Sequence, residues 1–445
     1  MNPPDLPPPL PPTPVPAVPR KGFGTGAIVL IVVGAVVLPI AVLGALAVPA
    51  FQSIQKLAQE EKQKRAKAAQ VVKPLTAEQK VALQAFGDEL AEALADEDDE
   101  KVKSMLDSAA LAERVFDDRL SGVPQVADVK RGFFSGITKN PGGWLHDLMG
   151  ADIKVLRLHE REGLPAVLLR IKPEGGGVNY VDILVRPEGS TFRAVDMFTY
   201  MYASLVSDEA RNMMAMMLPD SAAGKLAALL GISQTDTEMV GHLKSAGDLL
   251  RAGKYKEALR VCDALPAKYR TNRRFFMMRL QAHMALSGTD DDKNDAAYKE
   301  VLRAAPDILG KDSTTDLIMI DLFFLDNQLA EADACIQRVQ KVIGNDPYLK
   351  VLRANTRRMM KDYAGALKLA HEAQQEEPGL YEAVDARLSI RADQKDFAGL
   401  LEELRAFKKT SGVTLTRDTM AEDAQFAEFL ASPEFATWEK ENPAK

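Results

Sequence analysis

Three patterns of hydrophobic and polar positions follow one another along this chain, and each predicts a different kind of element. From Ala27 to Val48 no charge interrupts 22 mostly apolar residues. As a helix that stretch covers roughly 33 Å, enough for a hydrocarbon core of about 30 Å. Residues 22–53 are therefore expected to form a transmembrane helix kinked at Pro39, too long for the apolar part of a cleaved signal peptide. From Leu75 the apolar positions take helical spacing: Val81, Leu83, Phe86, Leu90 and Leu94, opened by a cap signal at Thr76 with Glu78-Gln79. Further helices are expected at 98–120 and 128–148. After Gly150 the period falls to two, which predicts strands at Ile153–His159, Ala166–Lys172, Val178–Arg186 and Thr191–Thr199. Turn chemistry separates them at Glu162-Gly163, Glu174–Gly177 and Pro187–Ser190.

From about Met239 the pattern is helical again, and it repeats. The segments 327–333 (NQLAEAD), 361–367 (KDYAGAL) and 395–401 (KDFAGLL) begin 34 residues apart, and 253–259 (GKYKEAL) is an earlier copy. Tyr255, Leu329, Tyr363 and Phe397 share one register, where a large side chain plugs the junction of two helices. Ala258, Ala332 and Ala366 follow three residues later, where a close helix crossing admits only a methyl group. Leu400 takes the alanine's place in the last copy. Pro306, Pro347 and Pro378 stand near the start of the next helix, where a missing N–H costs nothing.

A 34-residue period of helix pairs resembles the tetratricopeptide-repeat (TPR) family, over about 170 residues and about five repeats. The resemblance implies a superhelix whose first helices line a groove for a protein or peptide partner. By register that groove includes Asp321, Tyr348, Asn355, Arg358, Asp385 and Ser389. It lacks the lysine and asparagine pattern of chaperone-tail receptors, having Val351 with Asn355 and then Ser389. The helix-then-meander order of residues 75–235 resembles the NTF2-like (SnoaL-like) fold. The stretch from Lys21 to Phe51 resembles the start of type IV pilins but has no acid between Gly24 and Val29.

The chain is thus expected to be multidomain: an N-terminal transmembrane helix, an α+β domain with an antiparallel sheet, and a C-terminal all-α TPR superhelix. Its parts are a proline-rich tail (1–21), the span (22–53), a charged helical linker (54–74), the α+β domain (75–235), the repeats (239–410) and two capping helices (411–445) that cover the last repeat's apolar face. The expected placement is single-pass in a bacterial inner membrane, the lipid bilayer holding residues 22–53. The basic cluster from Lys56 to Lys67 favours a cytoplasmic C-terminal region. The short tail and the Arg20-Lys21 pair favour an exported one, and the reading leans to the latter.

Composition narrows the chemistry. A net charge of −7 leaves no basic excess for nucleic acid. Cys262 and Cys335 each lie in an apolar helical pattern and read as buried thiols. No motif for a metal, a phosphate loop or an activated nucleophile occurs, so neither a catalytic function nor a cofactor is expected. One polar group stands out. If Pro187–Ser190 closes a tight hairpin, Asp182 and Asp196 come opposite each other with Tyr180 beside them. Facing carboxylates need a cation, a shared proton or solvent. A solvated face neutralised by Arg170 or Arg193 is one reading. The NTF2-like resemblance implies the other, an acid/base pair in the mouth of a cone. The function expected is a membrane-anchored, non-enzymatic scaffold; the alternative is a tethered enzyme or small-ligand binder with a docking arm.

Overall fold

The computed structural model describes residues 75–443, apart from 117–140, 146–147, 174–176, 216–236, 267–268, 270–271, 288–291 and 311–312. The expected membrane anchor is corrected. Among the described residues no helix is long and apolar enough to cross a membrane. Residues 22–53, with the tail, the linker and the pilin-like stretch, lie outside them. The fold class becomes a β-sheet domain followed by a helical region, and the single-pass inner-membrane placement has no support. The described residues form two compact units, one ending at Asp346 and the other starting at Pro347.

The first unit opens with α1 (Ala77–Ala95), where Thr76 and Gln79 form a reciprocal capping box. Leu83, Phe86, Leu90 and Leu94 are buried. Val81 is 72% exposed, a departure from the expected stripe, because two residues from Leu83 is about 200° around a helix. Two short helices follow, α2 (Asp99–Ser104) and α3 (Ser108–Val115), in place of the one expected at 98–120. Asp98 and Asp107 each cap a new start, which breaks the longer helix. The helix expected at 128–148 falls mostly outside the described residues.

Strands β1 (Asp152–Arg161), β2 (Leu164–Lys172), β3 (Asn179–Glu188), β4 (Thr191–Thr199) and β5 (Ser204–Leu205) form one antiparallel meander in sequence order. The β3–β4 turn is tight: Glu188 pairs with Thr191, and Gly189 takes the positive φ that the turn requires. One sheet face carries Val167, Leu169, Ile171, Val181, Ile183 and Met197, and it packs with α1 into the main core. The approach is close. A side chain at Gly87 would meet Val167 at 2.8 Å, so only glycine lets the helix settle there.

After α4 (Val206–Ala215) the unit is helical: α5 (Thr237–Arg251), α6 (Tyr255–Asp263), α7 (Arg273–Leu286), α8 (Asp292–Leu309), α9 (Ser313–Leu325) and α10 (Leu329–Ile343). They pack as antiparallel pairs, α5 with α6, α7 with α8 and α9 with α10. Pro306 lies inside α8 and not at a helix start, a second departure from expectation. The buried Cys262 and Cys335 are free thiols.

The second unit holds two further pairs, α11 (Pro347–Met359) with α12 (Tyr363–Glu376) and α13 (Tyr381–Asp393) with α14 (Phe397–Ser411). Short pieces end it: α15 (Arg417–Ala421), a 3-10 turn (Ala424–Phe426), α16 (Ala427–Leu430) and α17 (Pro433–Glu441). Phe426, Phe429, Phe435 and Trp438 share a core with Val384, Leu388 and Leu404 of the last pair. The whole region is compatible with a TPR-like array.

Both units use one kind of turn between the helices of a pair. Gly253, Asn327, Lys361 and Lys395 all have positive φ. At each, the next residue donates back five positions, Asp362 N–H to Arg357 O and Asp396 N–H to Arg391 O being examples at 2.9 and 3.0 Å. This is a Schellman turn, closing the first helix by satisfying its last carbonyls. The second helix then begins on Tyr255, Leu329, Tyr363 or Phe397. Ala258, Ala332 and Ala366 are 0–1% exposed, and Leu400 is buried as well.

Candidate functional site

Two places carry the chemistry-bearing side chains. The first is the sheet face turned away from the main core, where alternation sets Arg157, His159 and Arg161 of β1 beside Arg170 of β2, Tyr180 and Asp182 of β3, and Asp196 of β4. Asp182 and Asp196 are not opposite each other. The register from the Glu188–Thr191 hairpin end would set Asp196 opposite Ile183 on the core face; a bulge in β4 shifts it by one, so Asp196 faces Leu184 and Asp182 faces Phe198, both acids on this face.

Neither acid is solvated; both are 0% exposed. Asp182 accepts from His159 Nε2 at 2.7 Å, from Arg161 Nε, and from the Tyr200 hydroxyl at 3.2 Å. Arg161 lies 3.7 Å over the Phe198 ring. Burial, and then the Asp182 carboxylate, raise the Tyr200 phenol above its ordinary range. Asp196 accepts from Arg114 Nε at 2.7 Å, from the Ser207 hydroxyl at 2.6 Å, and from the Ser207 and Met197 amides at 3.1 and 2.9 Å. Each carboxylate has an arginine partner and several donors, which offsets the cost of burying its charge.

Tyr180 belongs to a third group. Its hydroxyl donates to Asp346 at 2.6 Å, and Arg170 Nη1 donates to the same carboxylate at 2.8 Å. Arg157 Nη2 reaches the Val342 carbonyl at 2.6 Å. The end of α10 and the loop after it thus sit on the sheet. Gly344 makes that loop possible with a φ of +97° that side-chain-bearing residues rarely adopt. Arg193, the other expected neutraliser, pairs with Glu188 at the hairpin rim.

The second place is the face of α11 and α13, neighbouring first helices in the second unit. Tyr348, Asn355 and Arg358 lie on α11, and Asp385 and Ser389 on α13, with Asn355 and Asp385 half-buried and the others buried. Asp321 lies on α9 in the first unit, buried, and accepts from the Tyr298 hydroxyl at 2.7 Å. Burial pushes the Asp385 carboxyl up to about 7; Arg358 opposes the rise, and Asp423 and Glu382 add to it. Arg358 also lies 3.5 Å from Asp393.

Sequence reasoning missed the C-terminal contribution to this face. Arg358 Nη1 donates to Gln425 Oε1 at 2.9 Å, and Asp423 is 3% exposed beside it. It also missed Arg357 and Arg391, which donate to Asp362 and Asp396 at 2.8 and 2.6 Å and hold those caps on the second helices. The signal was available, since Arg-x-x-x-Lys-Asp recurs at 357–362 and 391–396. Of the histidines, His371 Nδ1 accepts from Arg387 at 3.0 Å, and burial holds its pKa down. Among the described residues no cluster could hold a metal ion. No family model and no curated protein matches this chain.

Proposed function

We propose that this chain is a non-enzymatic adaptor of tetratricopeptide-repeat type that holds a protein segment against the first helices of its repeats, with the face of α11 and α13 at the centre of the site. The observation that carries the reading is the repeated turn: four Schellman turns, each leading into a helix that starts on the same register position. Such a module buries little by itself and is stacked in arrays whose first-helix faces are left for partners. The polar residues there, Asn355, Arg358, Asp385 and Ser389, suit recognition of a peptide backbone and its side chains.

The sheet supports the same reading. Asp182 and Asp196 have saturated their oxygens with arginine, histidine, tyrosine and serine donors, an arrangement that stabilises and orients rather than transfers protons. The test compares full-length protein with Asn355→Arg and with Lys368→Glu, a change on the exposed surface of α12. Proteins captured by the unaltered chain and by Lys368→Glu, but lost with Asn355→Arg, are the expected result. Equal capture by all three overturns the site assignment.

A further inference from the structure

Residues 417–426 do two things that a mere cover for the last helix pair need not do. Arg417–Ala421 leads into the 3-10 turn, which packs against α13 on the face assigned above to a partner. There Gln425 presents its side-chain carbonyl to Arg358, and Phe426, 2% exposed, enters the apolar cluster with Val384 and Leu388. An acceptor side chain followed directly by an aromatic one is what a bound peptide would offer such a face. The rest of the C-terminus packs differently. Phe429 meets Phe397 at a tilt and Phe435 edge-on, and Trp438 Nε1 donates to the Leu415 carbonyl at 2.9 Å. Those contacts hold α16 and α17 on α14, within the apolar cluster that Val384 and Leu388 also enter.

We propose that Asp423–Phe426 is a built-in ligand of the α11–α13 face, displaced by a partner segment in which an amide side chain immediately precedes an aromatic residue. The inference rests on the reading of that face as a partner site. Its closure is poised to open for two reasons. The pieces are helices of 5, 3 and 4 residues, each far below the length at which a helix holds itself, so they stay only while docked. The closed contact also brings the Asp423 and Asp385 carboxylates near one another, while Arg358 serves Asp385, Gln425 and Asp393 together. Where both are ionised, like charges at a buried site oppose closure. A partner without the second carboxylate keeps the arginine and aromatic contacts and sheds that repulsion.

Two measurements on the full chain test this. In hydrogen exchange on the unaltered protein, amides of residues 417–426 are expected to exchange through an opening that leaves α13 and α14 protected. Protection equal to that of α13 and α14 marks a permanent cover and overturns the proposal. In the second, a fluorescent peptide of residues 417–431 is titrated against the unaltered chain, Gln425→Ala and Phe426→Ala. The peptide is expected to bind the variants at least about tenfold more tightly, and adding Arg358→Gln removes the gain. A control peptide with alanine at both positions is expected not to bind. Equal affinity for all chains, or binding of the control peptide, overturns it. So does a concentration-dependent dimer that exchanges the segment between copies, which would assign the face to a second copy of this chain. Should Phe426→Ala fail to fold by circular dichroism, Gln425→Ala and the exchange experiment decide. Loss of partner capture by Asn355→Arg tests the face independently, so the built-in ligand can fail while the site stands.

Discussion

Ala366→Arg probes the repeat register more severely than any other single change. Ala366 is 0% exposed, as are Ala370 and Ala373 on the same side of α12, and α12 packs on both α11 and α13. A methyl group fills the site completely. Arginine adds six heavy atoms and a charge, so either α11 or α13 must be displaced or the guanidinium is buried without a partner. Overpacking costs roughly 1–3 kcal/mol, and an unpaired buried charge costs several more. The expected loss is about 4 kcal/mol or greater, a large share of the roughly 5–15 kcal/mol that holds a domain folded. Urea titration followed by circular dichroism measures the loss, and hydrogen exchange locates it. Protection should fall across α11–α14 and remain native in β1–β4. Lys368→Arg, two residues on and exposed, is the control and should stay within about 0.5 kcal/mol of the unaltered protein. If Ala366→Arg matched the control, the helix register, and the site built on it, would be wrong.

Three further outcomes follow. Lys361→Gly and Lys395→Gly, at positive φ, should each leave stability unchanged or raise it by up to about 1 kcal/mol in urea titration, because glycine removes left-handed strain at the cost of extra freedom when unfolded. Asp346→Ala removes an acceptor that Arg170 and Tyr180 share and should destabilise the first unit by about 3–5 kcal/mol, the cost of breaking a buried ion pair from one side; pairing it with Arg170→Met should recover much of the loss. For Asp385, whose carboxyl is pushed up to about 7 among Arg358, Asp423, Glu382 and Tyr381, the folded state holds a proton that the unfolded state releases near the ordinary aspartate value. Its stabilising contribution is therefore full below that value and is lost as pH rises through about 7, so thermal melts of Asp385→Asn should show a flatter pH dependence between pH 4 and 7.

How much of this was legible in the sequence depends on range. The strands and the Gly189-Ser190 turn follow from period-two alternation and turn chemistry, both local, and the observed β1–β4 lie within two residues of their expected ends. The helix pairs follow from the 34-residue spacing. A solvated face around Asp182 and Asp196, neutralised by Arg170 or Arg193, was one of two readings the alternation allowed, and Arg157 shares that face with Arg170. Arg157 and Arg170 meet Val342 and Asp346, 185 and 176 residues on, and no local pattern reports that. The bulge that turns Asp196 onto the face of Asp182 leaves no sequence mark that alternation can detect. Lysine is not a turn signal, so the left-handed Lys361 and Lys395 were hidden until the backbone was seen. The C-terminal aromatics showed as a cover for the last pair, whereas the Arg358–Gln425 contact joins polar residues 67 positions apart that carry no periodicity.

The most direct test of the central claim is photo-crosslinking of the full chain in its own cells, with a benzophenone side chain placed either at Asn355 on the α11 face or at Lys368 on the exposed surface of α12. The account predicts a discrete crosslinked protein from Asn355, competed by the 417–431 peptide, and none from Lys368. A partner crosslinked from Lys368 and absent from Asn355 would contradict it.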